Sequence, residues 1–282
     1  MKTGLILEGG AMRGMFTCGV TDVFLEKGIE FDGAAGISAG AVFGCNFKSR
    51  QAGRAIRYNK RYGRDPRYCS VRSLVKTGDL YGVDFCYREI PDVLDPFDRA
   101  AFRENPMAFY VGATDVMTAE AVYHRLDDGD EGDIQWMRAS ASMPLVSRPV
   151  KIGDRLLLDG GIVDAVPFEY MEKLGYDRNV AVLTQPKGYR KQPTRGMALF
   201  RLSLRRWPKA AQAMAARHEV YNRQMAEIDA REAAGRLLVI RPRESLGISR
   251  TEKRPSELER VYRLGREEAA RRLGEVKEYL TN

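Results

Sequence analysis

Histidine, tryptophan and cysteine are scarce in this chain. The 282 residues include two histidines, two tryptophans and four cysteines. The cysteines (Cys18, Cys45, Cys69 and Cys86) match neither a C-x-x-C motif nor the spacing of a zinc knuckle. Cys18 and Cys45 fall in apolar runs, so we expect them to pack as small free thiols in a reducing compartment. The sequence therefore indicates neither a metal site nor a cofactor.

Long apolar runs are also missing. The N-terminal run stops at Glu8, which is too short for a secretory signal peptide. No window approaches the roughly 20 apolar residues of a membrane span. We therefore expect a cytoplasmic protein.

Positive charge is in excess, with a net charge of +8 and a pI of about 9.3. Such an excess is compatible with an ordinary basic surface, or with attraction to an anionic membrane or to nucleic acid. No zinc finger, helix-turn-helix or aromatic RNA-binding motif accompanies the charge. We expect no nucleic-acid partner and retain peripheral contact with an anionic membrane; the oligomeric state stays open.

Strand and helix signals alternate along the chain, which is typical of an α/β protein. Short apolar runs predict buried strands at residues 3–8, 31–37, 108–114, 121–126, 180–185 and 237–241, and a strand or hairpin at 151–159. Helices are predicted at residues 15–27 with Gly28 as the C-terminal cap, from residue 39 onwards, after Pro208 to 234, and from a capping box at 256–259 to about 280.

The C-terminal part of the chain contains one strand signal between two helical segments. We therefore expect one domain over residues 1–282, with the core motifs in 3–185 and a C-terminal helical segment with one further strand in 201–282. Residues 50–105 are rich in arginine, tyrosine and proline, and predict only short helices and loops. They are expected to form either a lid that contacts anionic lipid or a plain helical subdomain.

The segment GISAG, residues 36–40, has the form Gly-x-Ser-x-Gly. It follows a predicted strand and opens a predicted helix, which is the context of a nucleophile elbow. Gly36 and Gly40 carry no Cβ, so strand and helix can approach closely enough for a sharp turn. The pattern therefore predicts a serine, Ser38, with its hydroxyl exposed at the tip of the turn.

A second glycine-rich segment, EGGAMRG at residues 8–14, lies between the first predicted strand and helix. Gly9 and Gly10 would let its backbone N–H groups approach an oxyanion, and Arg13 adds positive charge. The segment lacks the Gly-Lys-Ser/Thr ending of a phosphate-binding P-loop.

A serine nucleophile also needs a base, and three residues are candidates. His124 lies in a strand pattern and His218 in a helical one, as surface or half-buried polar residues often do. Asp159 ends an apolar strand and is followed by Gly160 and Gly161, a turn that can present a carboxylate at the end of a sheet.

Taken together, EGGAMRG, GISAG and DGGIVDAVP (residues 159–167) resemble the motifs of the patatin-like phospholipase family. The resemblance is strong over residues 3–47. It returns at ASASMPLVSRPV (139–150), which looks like the family's proline-containing segment, and at residues 159–167.

The resemblance implies a three-layer α/β/α fold with a mainly parallel central sheet, and a Ser–Asp dyad without histidine. It implies Ser38 as the nucleophile and Asp159 as the proton acceptor. The oxyanion hole is implied in the loop formed by Gly9, Gly10, Ala11, Met12, Arg13 and Gly14, with the N–H groups of the first three binding the oxyanion. The associated turn glycines are Gly36, Gly40, Gly160 and Gly161. One departure is Ala11, which stands where the family usually has a third glycine and which would be strained if that position requires a positive φ.

The expected function is therefore a serine lipid acyl hydrolase of the phospholipase, lysophospholipase or esterase type, acting through an acyl-serine intermediate. Because a carboxylate is a weak base for serine, Asp159 is expected to be desolvated with a raised pKa. Three alternatives stay open: an acyltransferase with the same nucleophile, a Ser38–Asp159–His218 triad esterase, and a catalytically impaired lipid-binding or scaffold protein.

Overall fold

The computed structural model of this protein describes residues 1–281, which form an eight-stranded sheet between two layers of helices. The strands are β1 (Lys2–Leu7), β2 (Gly33–Ile37), β3 (Ala108–Asp115), β4 (Ala121–Leu126), β5 (Val150–Ile152), β6 (Arg155–Asp159), β7 (Tyr176–Val182) and β8 (Leu237–Ile240). Their order is β5, β6, β3, β2, β1, β7, β8, with β4 also paired to β3. From β3 through β2, β1 and β7 to β8 all neighbours are parallel, while β4, β5 and β6 pair antiparallel.

The helices connect these strands and cover both faces of the sheet. They are α1 (Gly14–Glu26), α2 (Ala39–Lys48), α3 (Arg54–Tyr62), α4 (Val71–Thr77), α5 (Arg99–Glu104), α6 (Glu131–Ser140), α7 (Phe168–Lys173), α8 (Met197–Ser203), α9 (Pro208–Ala233) and α10 (Pro255–Thr281). A π-helical segment runs over Phe85–Leu94, and 3₁₀ turns lie at Ala11–Arg13 and Gly160–Ile162. Within residues 1–281, no helix combines the length and the apolar character needed to cross a bilayer.

Alternating residues of the central strands enter two separate cores. Leu5 and Leu7 of β1 pack with residues of α1, α2 and α10, whereas Ile6 packs with residues of α7 and α9. Strands that are buried on both faces read as continuous apolar runs, as LIL in β1 and LLVI in β8 do. The structure thus confirms a three-layer α/β/α fold with a mostly parallel sheet.

Two helix ends had a specific capping signal in the sequence, and the structure tests both. Gly28, just beyond α1, has a φ of +64°, and the Ile29 N–H donates to the Phe24 carbonyl at 2.9 Å, so its predicted role as a C-terminal cap is confirmed. The predicted capping box at Ser256 is wrong, because α10 already begins at Pro255. Proline has its φ preset for the first helical position and has no N–H that needs a cap there.

The C-terminal segment joins the same sheet and the same core as the N-terminal motifs. Strand β8 extends the sheet beside β7, and α10 packs along α1. The Tyr262 hydroxyl donates to the Asp22 carboxylate at 2.7 Å, and Arg266 forms two hydrogen bonds with Glu26, at 2.8 and 2.7 Å. These contacts support the prediction of one domain.

Candidate active site

Two strands that run towards each other along one edge of β3 bring the predicted nucleophile and base together. Strand β2 is parallel to β3 and ends with Ile37 opposite Gly112. Strand β6 is antiparallel to β3 and ends with Asp159 opposite Ala113, the next residue. Because β4 occupies the other edge of β3, the C-terminal ends of β2 and β6 meet head to head.

Ser38 lies in the turn between β2 and α2, with a φ of +53° and a ψ of −119°. This backbone conformation is rare for any residue other than glycine and is typical of strain stored at functional sites. The turn is tight because α2 lies directly on β1. A Cβ on Gly40 would overlap the Leu7 carbonyl oxygen, and one on Gly36 would lie 2.5 Å from the Gly40 carbonyl oxygen.

A serine that the sequence analysis did not single out fixes this turn from the other side. The Ser38 N–H donates to Ser140 Oγ at 2.8 Å, and the Ser140 hydroxyl donates to the Gly112 carbonyl at 2.6 Å. Ser140 is the last residue of α6 and is fully buried. It belongs to the segment ASASMPLVSRPV, whose only signal in the sequence is its resemblance to the family's proline-containing segment.

Asp159 accepts the hydrogen bond of the Ser38 hydroxyl, with Ser38 Oγ and Asp159 Oδ2 separated by 2.7 Å. The other carboxylate oxygen accepts the Gly161 N–H at 2.8 Å. Asp159 is only 2% exposed, and this burial raises its pKa above the usual value. The positive charge of Arg217 and the two hydrogen bonds oppose the rise without cancelling it. The expectation of a desolvated carboxyl with a raised pKa is confirmed.

The glycine-rich loop passes directly beside Ser38. A Cβ on Gly9 would lie 3.0 Å from the Ser38 Cβ, so this close approach requires glycine. The Gly9 N–H donates to the Ala165 carbonyl at 3.4 Å, whereas the N–H groups of Gly10, Ala11 and Met12 have no hydrogen-bond acceptor within residues 1–281. The donors left for an oxyanion are therefore the N–H groups of Gly10, Ala11 and Met12.

Ala11 adopts a φ of +49°, so the position that differs from the family pattern does require a positive φ. It opens the 3₁₀ turn at Ala11–Arg13, after which Gly14 begins α1. The Arg13 side chain reaches Thr184, with its Nε 3.5 Å from Thr184 Oγ1. Gly160 and Gly161 lie in the 3₁₀ turn that follows Asp159.

Glu8, to which the sequence analysis gave no role, holds the start of the loop in place. Its side chain is buried and accepts hydrogen bonds from the Thr184 N–H, the Thr184 hydroxyl at 3.1 Å and the Tyr221 hydroxyl at 2.8 Å. Thr184 follows β7, and Tyr221 belongs to α9. The loop is therefore tied to both neighbouring elements by a carboxylate whose two oxygens are both occupied.

An apolar cavity of about 380 Å³ opens beside the dyad and includes Ser38 and Asp159 in its wall. Its size and apolar lining are typical of sites for small ligands. Most of the wall comes from α2, from residues 54–97 and from α6 with the loop after it. Apolar and aromatic members of the wall include Val42, Phe43, Tyr58, Tyr87, Ile90, Phe97, Met137 and Leu145. Phe200 and Arg250 complete it from the C-terminal part of the chain.

Both histidines lie elsewhere. The His218 Nδ1 lies 3.1 Å from the carbonyl oxygen of Ala215 in its own helix, and its Nε2 lies 3.8 Å from a Glu219 carboxylate oxygen. His124 stacks on Trp136 at a ring-centroid distance of 4.6 Å. Within residues 1–281, neither imidazole forms a hydrogen bond with Ser38 or Asp159, so the geometry of a serine triad is not present.

The model of the patatin-like phospholipase family matches residues 5–171, more than half of the chain. The protein therefore belongs to this family. A second family model, that of a domain of unknown function, matches residues 207–281. Lys191 and Phe200 lie between the two matched regions, whereas Arg217 and Arg250 lie within the second.

Two relatives each match 64% of this chain. An uncharacterized NTE family protein of Mycobacterium bovis is 28% identical over 181 residues, which cover 64% of this chain and 48% of the relative. The lysophospholipase nte1 of Aspergillus niger is 28% identical over 187 residues, covering 64% of this chain and 12% of that protein. This chain thus spans about half the length of the mycobacterial relative and a small part of the fungal one.

Among solved structures, VipD from Legionella pneumophila has the same fold with a TM-score of 0.50. The match covers 97% of this chain and 67% of VipD at 15% sequence identity. At this identity the likeness concerns the fold alone.

Proposed function

We propose that this protein hydrolyses a carboxylic ester of an acyl lipid, with Ser38 as the nucleophile and Asp159 as the base. The observation that carries the proposal is the 2.7 Å hydrogen bond from the Ser38 hydroxyl to the Asp159 carboxylate, at the wall of an apolar cavity. Burial raises the pKa of Asp159 and so makes its carboxylate a better proton acceptor than an exposed one.

The reaction would proceed through an acyl-serine. As Ser38 Oγ attacks the ester carbonyl, its proton moves to Asp159 Oδ2, and the tetrahedral oxyanion accepts hydrogen bonds from N–H groups of the glycine-rich loop. We assign this role to Gly10, Ala11 and Met12 rather than to Gly9, whose N–H is directed to Ala165. The protonated Asp159 gives its proton to the departing alcohol, and a water activated by the same carboxylate then releases the fatty acid.

A lysophospholipid or glycerolipid ester fits this site best. The cavity gives an acyl chain an apolar environment next to the nucleophile, and the fungal relative of the chain is named a lysophospholipase. Family membership supports a lipid substrate in the same way.

We further propose that the protein approaches its lipid at an anionic membrane surface. Two short helices near the cavity expose apolar side chains: Val71 and Val75 of α4 are 70% and 82% exposed, and Leu199 and Leu202 of α8 are 60% and 62% exposed. Phe200 of α8 lines the cavity, and Ser73 of α4 donates a hydrogen bond to the carbonyl of Asp79, which also lines it. Basic residues accompany them, Arg72 and Lys76 in α4 and Arg201 in α8. Exposed apolar residues among basic ones are typical of peripheral membrane contact.

The catalytic proposal is tested by intact-mass analysis after incubation with a long-chain alkyl fluorophosphonate. We expect one adduct on the wild type, none on Ser38→Ala, and an unchanged adduct on the matched control Ser203→Ala, which removes an exposed hydroxyl on α8. Release of fatty acid from a lysophospholipid should follow the same pattern. An adduct that persists in Ser38→Ala, or a wild type that forms none, would contradict the proposal.

Membrane contact is tested by sedimentation with vesicles that contain anionic phospholipid, as the cytoplasmic leaflet does. Val75→Asn and Leu202→Asn should weaken binding several-fold. The control Leu174→Asn replaces an exposed leucine just before β7, at the end of the sheet opposite the site, and should bind as the wild type does. Equal binding by all four proteins would refute this surface.

A further inference from the structure

Four cationic side chains gather beside the dyad but largely outside the apolar cavity; we call Arg13, Lys191, Arg217 and Arg250 the cationic cluster. Arg217 donates from Nε to the Gly161 carbonyl at 2.5 Å. Arg13 extends from the glycine-rich loop to Thr184. Arg250 lines the cavity that contains Ser38.

Lys191 completes the cluster from the segment after β7. Its Nζ lies 3.8 Å from the centroid of the Tyr221 ring. Burial, together with the positive charges of Arg217, Arg13 and Arg250, lowers the pKa of Lys191 to about 7, while the Glu8 carboxylate opposes the change. Burial also lowers the pKa of Arg217; the Asp159 carboxylate opposes this change, and the positive charges of Arg250 and Arg13 add to it.

The positive charge of the cluster is only partly balanced, because two carboxylates, Glu8 and Asp159, act on four cations. Among the ion pairs within residues 1–281, none involves a member of the cluster, whereas Arg241, for comparison, pairs with both Asp229 and Glu232. The nearest carboxylates, Glu8 and Asp159, already accept hydrogen bonds from other partners. Arg13, Lys191 and Arg217 are half-buried, whereas Arg250 is exposed. An excess of half-buried positive charge is costly, and a bound anion would lower that cost.

The location of the cluster also favours a ligand. Glu8 and Thr184 follow the carboxyl ends of β1 and β7, which are neighbours in the sheet, and ligands of parallel α/β sheets bind outside these ends. The apolar cavity lies on the side of residues 54–97 and α6 instead. A molecule with an ester at Ser38 would therefore have an apolar wall on one side and the cationic cluster on the other.

We propose that the cationic cluster binds a phosphate group carried by the ester substrate, while the acyl chain occupies the apolar cavity. Arginine matches phosphate oxygens with two parallel N–H donors, and lysine adds a point charge. The inference rests on the proposed function and names the residues that would recognise the phosphate group of such a substrate. Three of the four cations lie outside the residues matched by the patatin-like model, so the selectivity would belong to this chain's C-terminal half.

The first test is equilibrium binding, which requires no turnover. Isothermal titration of the full-length protein with dodecyl phosphate should show binding that Lys191→Gln and Arg250→Gln each weaken about tenfold or more, the usual cost of losing one charged hydrogen bond to an ion. The matched control Arg263→Gln, which removes an arginine 70% exposed on α10, should bind as the wild type does. Unchanged affinity in both cluster variants would overturn the inference.

A second arm separates a lipid phosphate from the free anion. Inorganic phosphate should bind at least tenfold more weakly than dodecyl phosphate if the site extends from the cluster into the cavity. Equal affinities would overturn the headgroup assignment and identify a site for the free anion.

A third arm measures hydrolysis of two esters with the same acyl chain, a lysophosphatidyl lipid and a neutral monoacylglycerol. Lys191→Gln and Arg250→Gln should lower the ratio of the two kcat/KM values about tenfold, and an unchanged ratio would count against the cluster. If the wild type cleaves neither ester but binds dodecyl phosphate through the cluster, the proposed function fails while phosphate recognition stands.

Discussion

The backbone conformation of Ser38 is strained, and the free-energy cost of this strain can be measured in variants that lack the catalytic hydroxyl. At a φ of +53° and a ψ of −119°, a residue with a Cβ pays about 1–3 kcal/mol. Replacing alanine by glycine ordinarily costs about 0.5–1 kcal/mol of backbone entropy. Because relief of strain exceeds that cost here, Ser38→Gly should be more stable than Ser38→Ala by about 0.5–2 kcal/mol.

Ser38→Gly is compared with Ser38→Ala because both variants lack the hydroxyl that donates to Asp159. The difference between their free energies of unfolding therefore does not include this hydrogen bond. The measurement is urea unfolding of the two variants at pH 7, with the slopes checked for equality. The control is Ala226→Gly, at an exposed position within helix α9, which should lose about 1 kcal/mol. If Ser38→Gly instead falls below Ser38→Ala by an amount like that of the control, the turn is not strained and the reasoning is refuted.

Three further predictions concern the same site. Asp159→Asn should lower kcat about 10²–10⁴-fold. Because burial raises the folded-state pKa of Asp159, the wild type loses stability as pH rises through that pKa. In urea unfolding, the free energy of unfolding of the variant relative to the wild type should therefore be higher at pH 7 than below about pH 4. Gly40→Ala should cost about 1–3 kcal/mol because its Cβ overlaps the Leu7 carbonyl, whereas Gly274→Ala, with no atom within 4 Å of the new Cβ, should gain about 1 kcal/mol; equal urea midpoints would contradict both. Ala11→Gly should relieve the φ of +49° and raise stability by about 0.5 kcal/mol in thermal melts, and a loss of stability would show that the loop is not strained there.

The parts of the site that could be predicted from the sequence are those whose signal is local. GISAG indicates a sharp strand–turn–helix because two glycines and a serine within five residues suffice to specify it. The strands around it were likewise predicted, since strands buried on both faces must be apolar throughout. Their ends shifted by a few residues, as for β7, predicted at 180–185 and found at Tyr176–Val182.

The contacts that complete the site join distant parts of the chain and have no local signal. That Ser38 and Asp159 meet depends on β2 and β6 sharing one edge of β3, and the sequence suggested this only through resemblance. Ser140, Glu8 and Tyr221 could not be singled out either, because one hydroxyl or carboxylate in a helix or at a strand end is an ordinary feature until its partner is known.

Residues 50–105 show the same limit on a larger scale. Their helices are short, at 6 to 9 residues, and the π-helical segment contains Pro91, so no long periodicity predicts their architecture. Their aromatic and aliphatic side chains line one cavity only because the segment packs against α2 and α6.

The position of β7 has a consequence for anyone who would work with a shortened protein. A fragment that stops where the patatin-like match stops, at residue 171, would keep Ser38 and Asp159 but lose the strand that pairs with β1 along its whole length. Strand β1 would become an exposed edge strand with unpaired N–H and C=O groups, and such edges pair with strands of other copies of the chain. The boundary of sequence similarity therefore cuts through the interior of the molecule, and we expect such a fragment to accumulate as aggregates rather than as a smaller enzyme.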